Sequence, residues 1–97
     1  MSLHIYGQQF WHNPVYIVGD HFALASLHSA ITRALDNFKV ADGKGQSEFS
    51  VEAADGKGYF VHVQCVLDKK MKCLQTPYAD PVRQARDPEN AIKPWEI

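Results

Sequence analysis

The sequence predicts an α+β fold: a four- to five-stranded antiparallel sheet in the order β-β-α-β-β, with one main helix packed on one face. Three observations carry this. Residues 19–38 are the only segment with a long helical period. Strand-like alternation lies on both sides of it. Two alternating runs after it, at 48–54 and 59–67, are joined by Asp55-Gly56-Lys57-Gly58, a strong short-range hairpin signal. The 97 residues suit a single domain, divided into a hairpin at 1–19, a helix at 20–38, a hairpin or meander at 47–75 and a wrapping tail at 76–97.

Each element has a local cause. Leu3 to Phe10 alternates loosely and reads as a first strand, broken at Asn13-Pro14, because proline cannot donate to a central ladder. Val15-Tyr16-Ile17-Val18 is β-prone and makes the second strand. Gly19 permits the change of direction, and Asp20 is a good helix N-cap. At about 100° per residue, Leu24, Leu27, Ile31, Leu35 and Phe38 form one stripe with Ala34 at its edge, the expected core face. Phe49, Val51, Val61, Val63 and Ile17 are its expected partners, since alternate strand residues share a face. Met71 to Leu74 is the possible fifth strand, reached over the turn Asp68-Lys69-Lys70. Pro77, Pro81, Pro88 and Pro94 then exclude a long helix from the last 23 residues. Asp80-Pro81 and Asp87-Pro88 match an N-cap with proline at the first helical position, which predicts short turns at 81–86 and 88–92. Tyr78, Ile92, Trp95 and Ile97 are the expected anchors of this tail, with Trp95 covering a sheet face. The repeated Ala-Asp-Gly-Lys-Gly at 41–45 and 54–58 is turn chemistry used twice, because the flanking alternation is out of phase.

Composition narrows the function. A chain 45% hydrophobic and 22% charged belongs to the globular class. A net charge of -1 argues against general attraction to nucleic acid or anionic membrane. No apolar run approaches the ~18 residues of a membrane span, and the first residues lack the charged and apolar regions of a signal peptide. Cys65 and Cys73 are therefore expected as reduced thiols in a cytoplasmic protein.

Catalytic patterns are scarce. His21 and His28 lie two helical turns apart, roughly 10 Å along the axis, too far to share one zinc ion. His62 and Cys65 resemble a base and its nucleophile in composition only, since strand residues three apart point to opposite faces. Cys73 follows Lys69, Lys70 and Lys72 without an assignable acid or base. No nucleophile elbow, phosphate loop or dinucleotide fingerprint occurs, and no metal or cofactor is expected.

What remains is aromatic. Phe22 lies about 160° from the centre of the apolar stripe, so it is either covered by the Trp11 loop or part of an exposed patch. The leading expectation is a non-catalytic protein-binding or self-associating domain, of bacterial or phage accessory or immunity type. Its surface would use Trp11, His12, His21 and Phe22, with His28 at the border. A second expectation is a small-molecule binder or enzyme whose site is completed in a homo-oligomer by Trp11, Tyr16, His21 and His28. A third, RNA binding, would use the basic patch Lys69, Lys70 and Lys72.

Overall fold

The computed structural model describes residues 1–8, 13–40, 44–77 and 90–97. It is an α+β protein with strands β1 (Leu3–Tyr6) and β2 (Tyr16–Gly19), a main helix α1 (His21–Val40), strands β3 (Lys44–Glu52) and β4 (Gly58–Val66), and a short helix α2 (Asp68–Met71). A 3-10 turn at Pro94–Glu96 follows near the C-terminus. The chain falls into two compact units. One comprises Met1–Ile5 and Ile17–Leu67, the other Tyr6–Tyr16 and Asp68–Ile97.

In the first unit, the start of the helix is built by Asp20. Its Oδ1 accepts from the Ala23 N–H at 2.9 Å, and its carbonyl accepts the first helical bond, from Leu24 N–H at 3.0 Å. The same residue secures the N-terminal strand. Asp20 Oδ2 accepts from the Ser2 N–H at 2.8 Å, and the Asp20 N–H donates to the Ser2 carbonyl at 3.1 Å. The Ala23 N–H, then the Ser2 N–H, hold the carboxyl of Asp20 below its ordinary value of 3.8. The Met1 ammonium, 3.8 Å away, and the Phe22 N–H act in the same direction against a small desolvation.

Strands β3 and β4 form the expected antiparallel hairpin, in register from Lys44 opposite Val66 to Glu52 opposite Gly58. Its turn closes through the Ala53 N–H to the Lys57 carbonyl at 2.9 Å, with Gly56 at φ +83°. Leu3, Ala23 and Val51 make the buried cluster, with Phe49, Tyr59 and Val61 packed on it. The Tyr59 hydroxyl donates to the Leu3 carbonyl, and His4 Nε2 accepts from the Ala54 N–H at 2.9 Å, so β1 is tied to both ends of the turn.

Where a single sheet of four or five strands was expected, the described strands form two two-stranded antiparallel sheets, β1-β2 and β3-β4. They meet at one isolated parallel bridge, Ser2 with Glu52, after which β1 turns away to pair with β2. Ile17 consequently lies half-exposed in β2 instead of beneath the helix. No strand forms at Met71–Leu74. Asp68 starts a four-residue helix there, its carboxylate suited to the positive helix end. Leu74 then meets Ile92 in an isolated bridge, and Pro88 and Glu89 of the expected turn at 88–92 lie outside the described residues. Tyr78 and the expected turn at 81–86 lie outside the described residues. Trp95 is 76% exposed, with the Lys93 ammonium 5.7 Å from its ring centre, and so does not serve as a buried anchor.

The largest departure concerns which face of α1 is buried. The helix lies mainly over β3, and its buried residues are Ala23, Ala30 and Ala34, with Leu27 and Phe38 half-buried. Leu24, Ile31 and Leu35 of the expected stripe are 42%, 43% and 49% exposed. The helix is thus turned by roughly 80° from the orientation that hydrophobic periodicity favours. Close approach explains it: a Cβ placed on Gly45 would lie 1.9 Å from the Ala34 carbonyl oxygen and 2.7 Å from Phe38. A helix face whose buried residues are alanines can come this near a strand backbone, most of all where the strand carries glycine. Two bonds hold it there, from the Ser47 hydroxyl to the Ala30 carbonyl and from Asn37 Nδ2 to the Gln46 carbonyl at 2.9 Å.

Gly45→Ala should therefore lower unfolding stability by about 3 kcal/mol, read as a shifted denaturant midpoint, because the clash is with backbone that cannot swing aside. Gly7→Ala, which meets nothing within 4 Å, is the control and should change it by less than about 0.5 kcal/mol. Asp20→Ala should lower the thermal midpoint at pH 7. The ionised carboxylate stabilises the fold fully above 3.8 and ceases to do so as pH falls through its lower folded value. The gap between variant and native protein should therefore close in acid.

Candidate functional surface

The rotation of α1 decides what its surface offers. Going round the helix from the buried alanines, one flank carries Phe22, Ser26, Ser29 and Arg33. With Met1 and Phe49 these residues line an open groove of about 450 Å3. The Ser26 hydroxyl donates to Met1 Sδ at 3.2 Å, and Arg33 has no ion-pair partner among the described residues. The opposite flank carries Leu24, Ile31 and Leu35, spaced seven and then four residues apart, with His28 between them. That spacing places them along one line of the helix.

The residues expected to carry function are divided by this geometry. His21 and Phe22 are together, their rings edge-to-face with centroids 5.7 Å apart, and Phe22 is 75% exposed. His28 is exposed about a third of a turn away from Phe22, on the aliphatic flank, where its carbonyl accepts from Thr32 Oγ1 at 3.1 Å. Trp11 and His12 lie outside the described residues. In the second unit, Lys69 and Lys70 belong to α2, and Lys72 follows it; Lys69 and Lys72 are exposed and Lys70 is half-buried. Tyr16 is exposed in β2.

Cys65 faces inward opposite Gly45, while His62 is paired with Glu48 across the strands, its Nδ1 3.3 Å from Oε2. They cannot act as a nucleophile and base. Cys73 is exposed, with its Sγ 3.5 Å from the Lys69 carbonyl. Among the described residues no three His, Cys, Asp or Glu side chains gather as a metal site, and no helix is long and apolar enough to cross a membrane. No protein-family model, curated protein or solved structure matches the chain.

Sequence reasoning missed Leu24, Ile31 and Leu35 as surface residues because it assigned them to the core. The available signal was the line Ala23, Ala30, Ala34, together with a glycine at 45 inside a strand-like run. The orientation of α1 has a direct test. Ala30→Leu should destabilise by about 2–3 kcal/mol through overpacking, whereas Ile31→Leu should cost less than about 1 kcal/mol, as measured by denaturant unfolding. Equal costs at the two positions would contradict the orientation.

Proposed function

We propose that the chain is a non-catalytic protein-binding domain whose interface is the aliphatic flank of α1. The observation that carries this is the exposure of Leu24, Ile31 and Leu35 in a unit that fully buries few large side chains. Among the described residues, its buried hydrophobic side chains are Leu3, Ala23, Ala30, Ala34 and Val51. Burying a large aliphatic side chain contributes roughly 1.5–3 kcal/mol, and a small unit that leaves three of them in water has stability to gain from a partner. A contiguous apolar line on a helix is also the pattern by which helices are recognised in grooves and bundles. Cys65 and Cys73 are free thiols, which suits a reducing cytoplasmic setting.

A second reading, binding of a small anionic ligand, is favoured by the groove beside Phe22 and Phe49, where the Ser26 and Ser29 hydroxyls and the Arg33 guanidinium line an apolar floor. Arg33→Ala would abolish such binding and leave the aliphatic flank untouched.

A photo-crosslinking side chain placed at position 31 or 35 in living cells should yield discrete protein adducts. The same group at Glu52, exposed on the outward face of β3, should not. Equal adducts from all three positions, or none from 31 and 35, would refute an interface on this flank.

A further inference from the structure

We infer that the open edge of β3 takes up an extended peptide as a further strand, with an acidic side chain of that peptide on Arg33. The inference rests on the reading above that the groove beside Phe22 and Phe49 holds an anionic group, and it names what carries that group. It is independent of the aliphatic flank.

The edge is defined by the hairpin. The Ala53 N–H bonds the Lys57 carbonyl across it, and backbone groups in an antiparallel ladder alternate in direction. Val51, Phe49, Ser47 and Gly45 therefore bond to β4, while Glu52, Ser50, Glu48 and Gln46 direct their N–H and C=O groups away from it. Two contacts agree with this and bound the open stretch. At one end the Glu52 N–H donates to the Met1 carbonyl at 3.2 Å; at the other the Gln46 carbonyl accepts from Asn37 Nδ2 at 2.9 Å. Between them the backbone groups of Ser50 and Glu48 have no partner among the described residues. Such an edge is a template for strand addition.

The groove lies along this stretch. Helix α1 runs antiparallel to β3: Ala23 packs with Val51, the Ala30 carbonyl accepts from the Ser47 hydroxyl, and the Ala34 carbonyl sits against Gly45. A strand laid from Glu52 towards Gln46 would pass Ser26, then Ser29, then Arg33. Met1 shows how a residue on this edge uses the groove. Its carbonyl joins the β3 backbone and its side chain lines the groove, with Sδ accepting from the Ser26 hydroxyl at 3.2 Å. The Ser2–Glu52 bridge sets the direction as parallel. A peptide entering in line with Met1 thus places an apolar side chain beside Phe49 and Ser29, and the side chain two residues earlier beside Arg33.

Charge selects the occupant. Arg33 has no ion-pair partner among the described residues, so the position beside it suits Asp or Glu. The residue between the acidic and apolar positions faces the other side of the sheet, next to exposed Glu48, and suits Lys. The open stretch is about 20 Å long at roughly 3.4 Å per residue, room for about five residues.

Fluorescence anisotropy on the full chain tests this with the amidated peptide Thr-Glu-Lys-Leu-Thr, labelled at its N-terminus with fluorescein, and with Ile, Met or Phe in place of its Leu. At least one should bind saturably. Arg33→Gln should weaken binding by about tenfold, Gln in place of the peptide's Glu should do the same, and the two together should cost no more. Methylating the backbone nitrogen of the apolar residue, which donates to the Glu48 carbonyl, should weaken binding by about tenfold or more. Methylating the backbone nitrogen of the Lys, which faces away from β3, should not. Ser50→Pro removes the matching donor on the edge and should also weaken binding, with circular dichroism verifying the fold. Should it unfold, the methylated peptides decide, because they leave the protein unaltered.

Binding by none of these peptides overturns the inference, as does binding indifferent to Arg33→Gln or to methylation at the apolar residue. Titration with N-acetylglutamate separates it from the reading beneath it. If that small anion binds, is lost with Arg33→Gln, and the peptides do not bind, the groove holds an anion without a strand. Binding of neither removes both.

Discussion

The distance between α1 and β3 is the constraint from which the arrangement of the first unit follows. Gly45 has no side chain, and the Ala34 carbonyl occupies the space where one would stand. Once helix and strand are this close, the helix residues that become fully buried are the alanines at 23, 30 and 34, beside half-buried Leu27 and Phe38. Leucine or isoleucine there would hold the helix off and forfeit the bonds from Ser47 and Asn37. Dispersion contacts fall steeply with separation, so a small-residue contact at short range can compete with larger side chains at longer range. The aliphatic residues are displaced to the flank as a result. Their exposure is the other side of tight packing.

A second set of contacts holds the N-terminal strand to this frame. Asp20 caps the helix and binds Ser2 with the same carboxylate, so helix initiation and strand docking use one side chain. Leu3 is then buried beside Ala23 and Val51, and the Tyr59 hydroxyl satisfies its carbonyl. The apolar anchor and its polar bonds come from adjacent residues, which limits β1 to one position along β3. That position is the single bridge at Glu52. Beyond it β1 pairs with β2, and the two ladders stay separate over the described residues.

Local chemistry was legible in the sequence, and the choice between faces was not. Asp20 as cap, the helix, the β3-β4 alternation and the Asp55-Gly56 turn all follow from neighbours in the chain. Hydrophobic periodicity found the helix but misjudged its rotation, because it weights leucine and isoleucine and gives little weight to a line of alanines. That line acquires meaning only beside Gly45, eleven residues after Ala34, so the evidence was non-local. Met71–Leu74 went wrong for a simpler reason: a four-residue run is too short for pattern to separate strand from helix and turn. Of the candidate surface, Phe22 was singled out correctly as lying off the core face. The aliphatic flank was invisible as a surface as long as it was counted as core.

Gly45 also keys the pairing of the hairpin itself. Hydrogen bonding between β3 and β4 is nearly indifferent to sliding by two residues, since that preserves which side chains face the helix. Sliding β3 so that Ser47 took the place of Gly45 would drive its side chain into the Ala34 carbonyl and abandon the bond from Ser47 to Ala30. A residue without a side chain thus aligns two strands by way of a third element that neither of them pairs with.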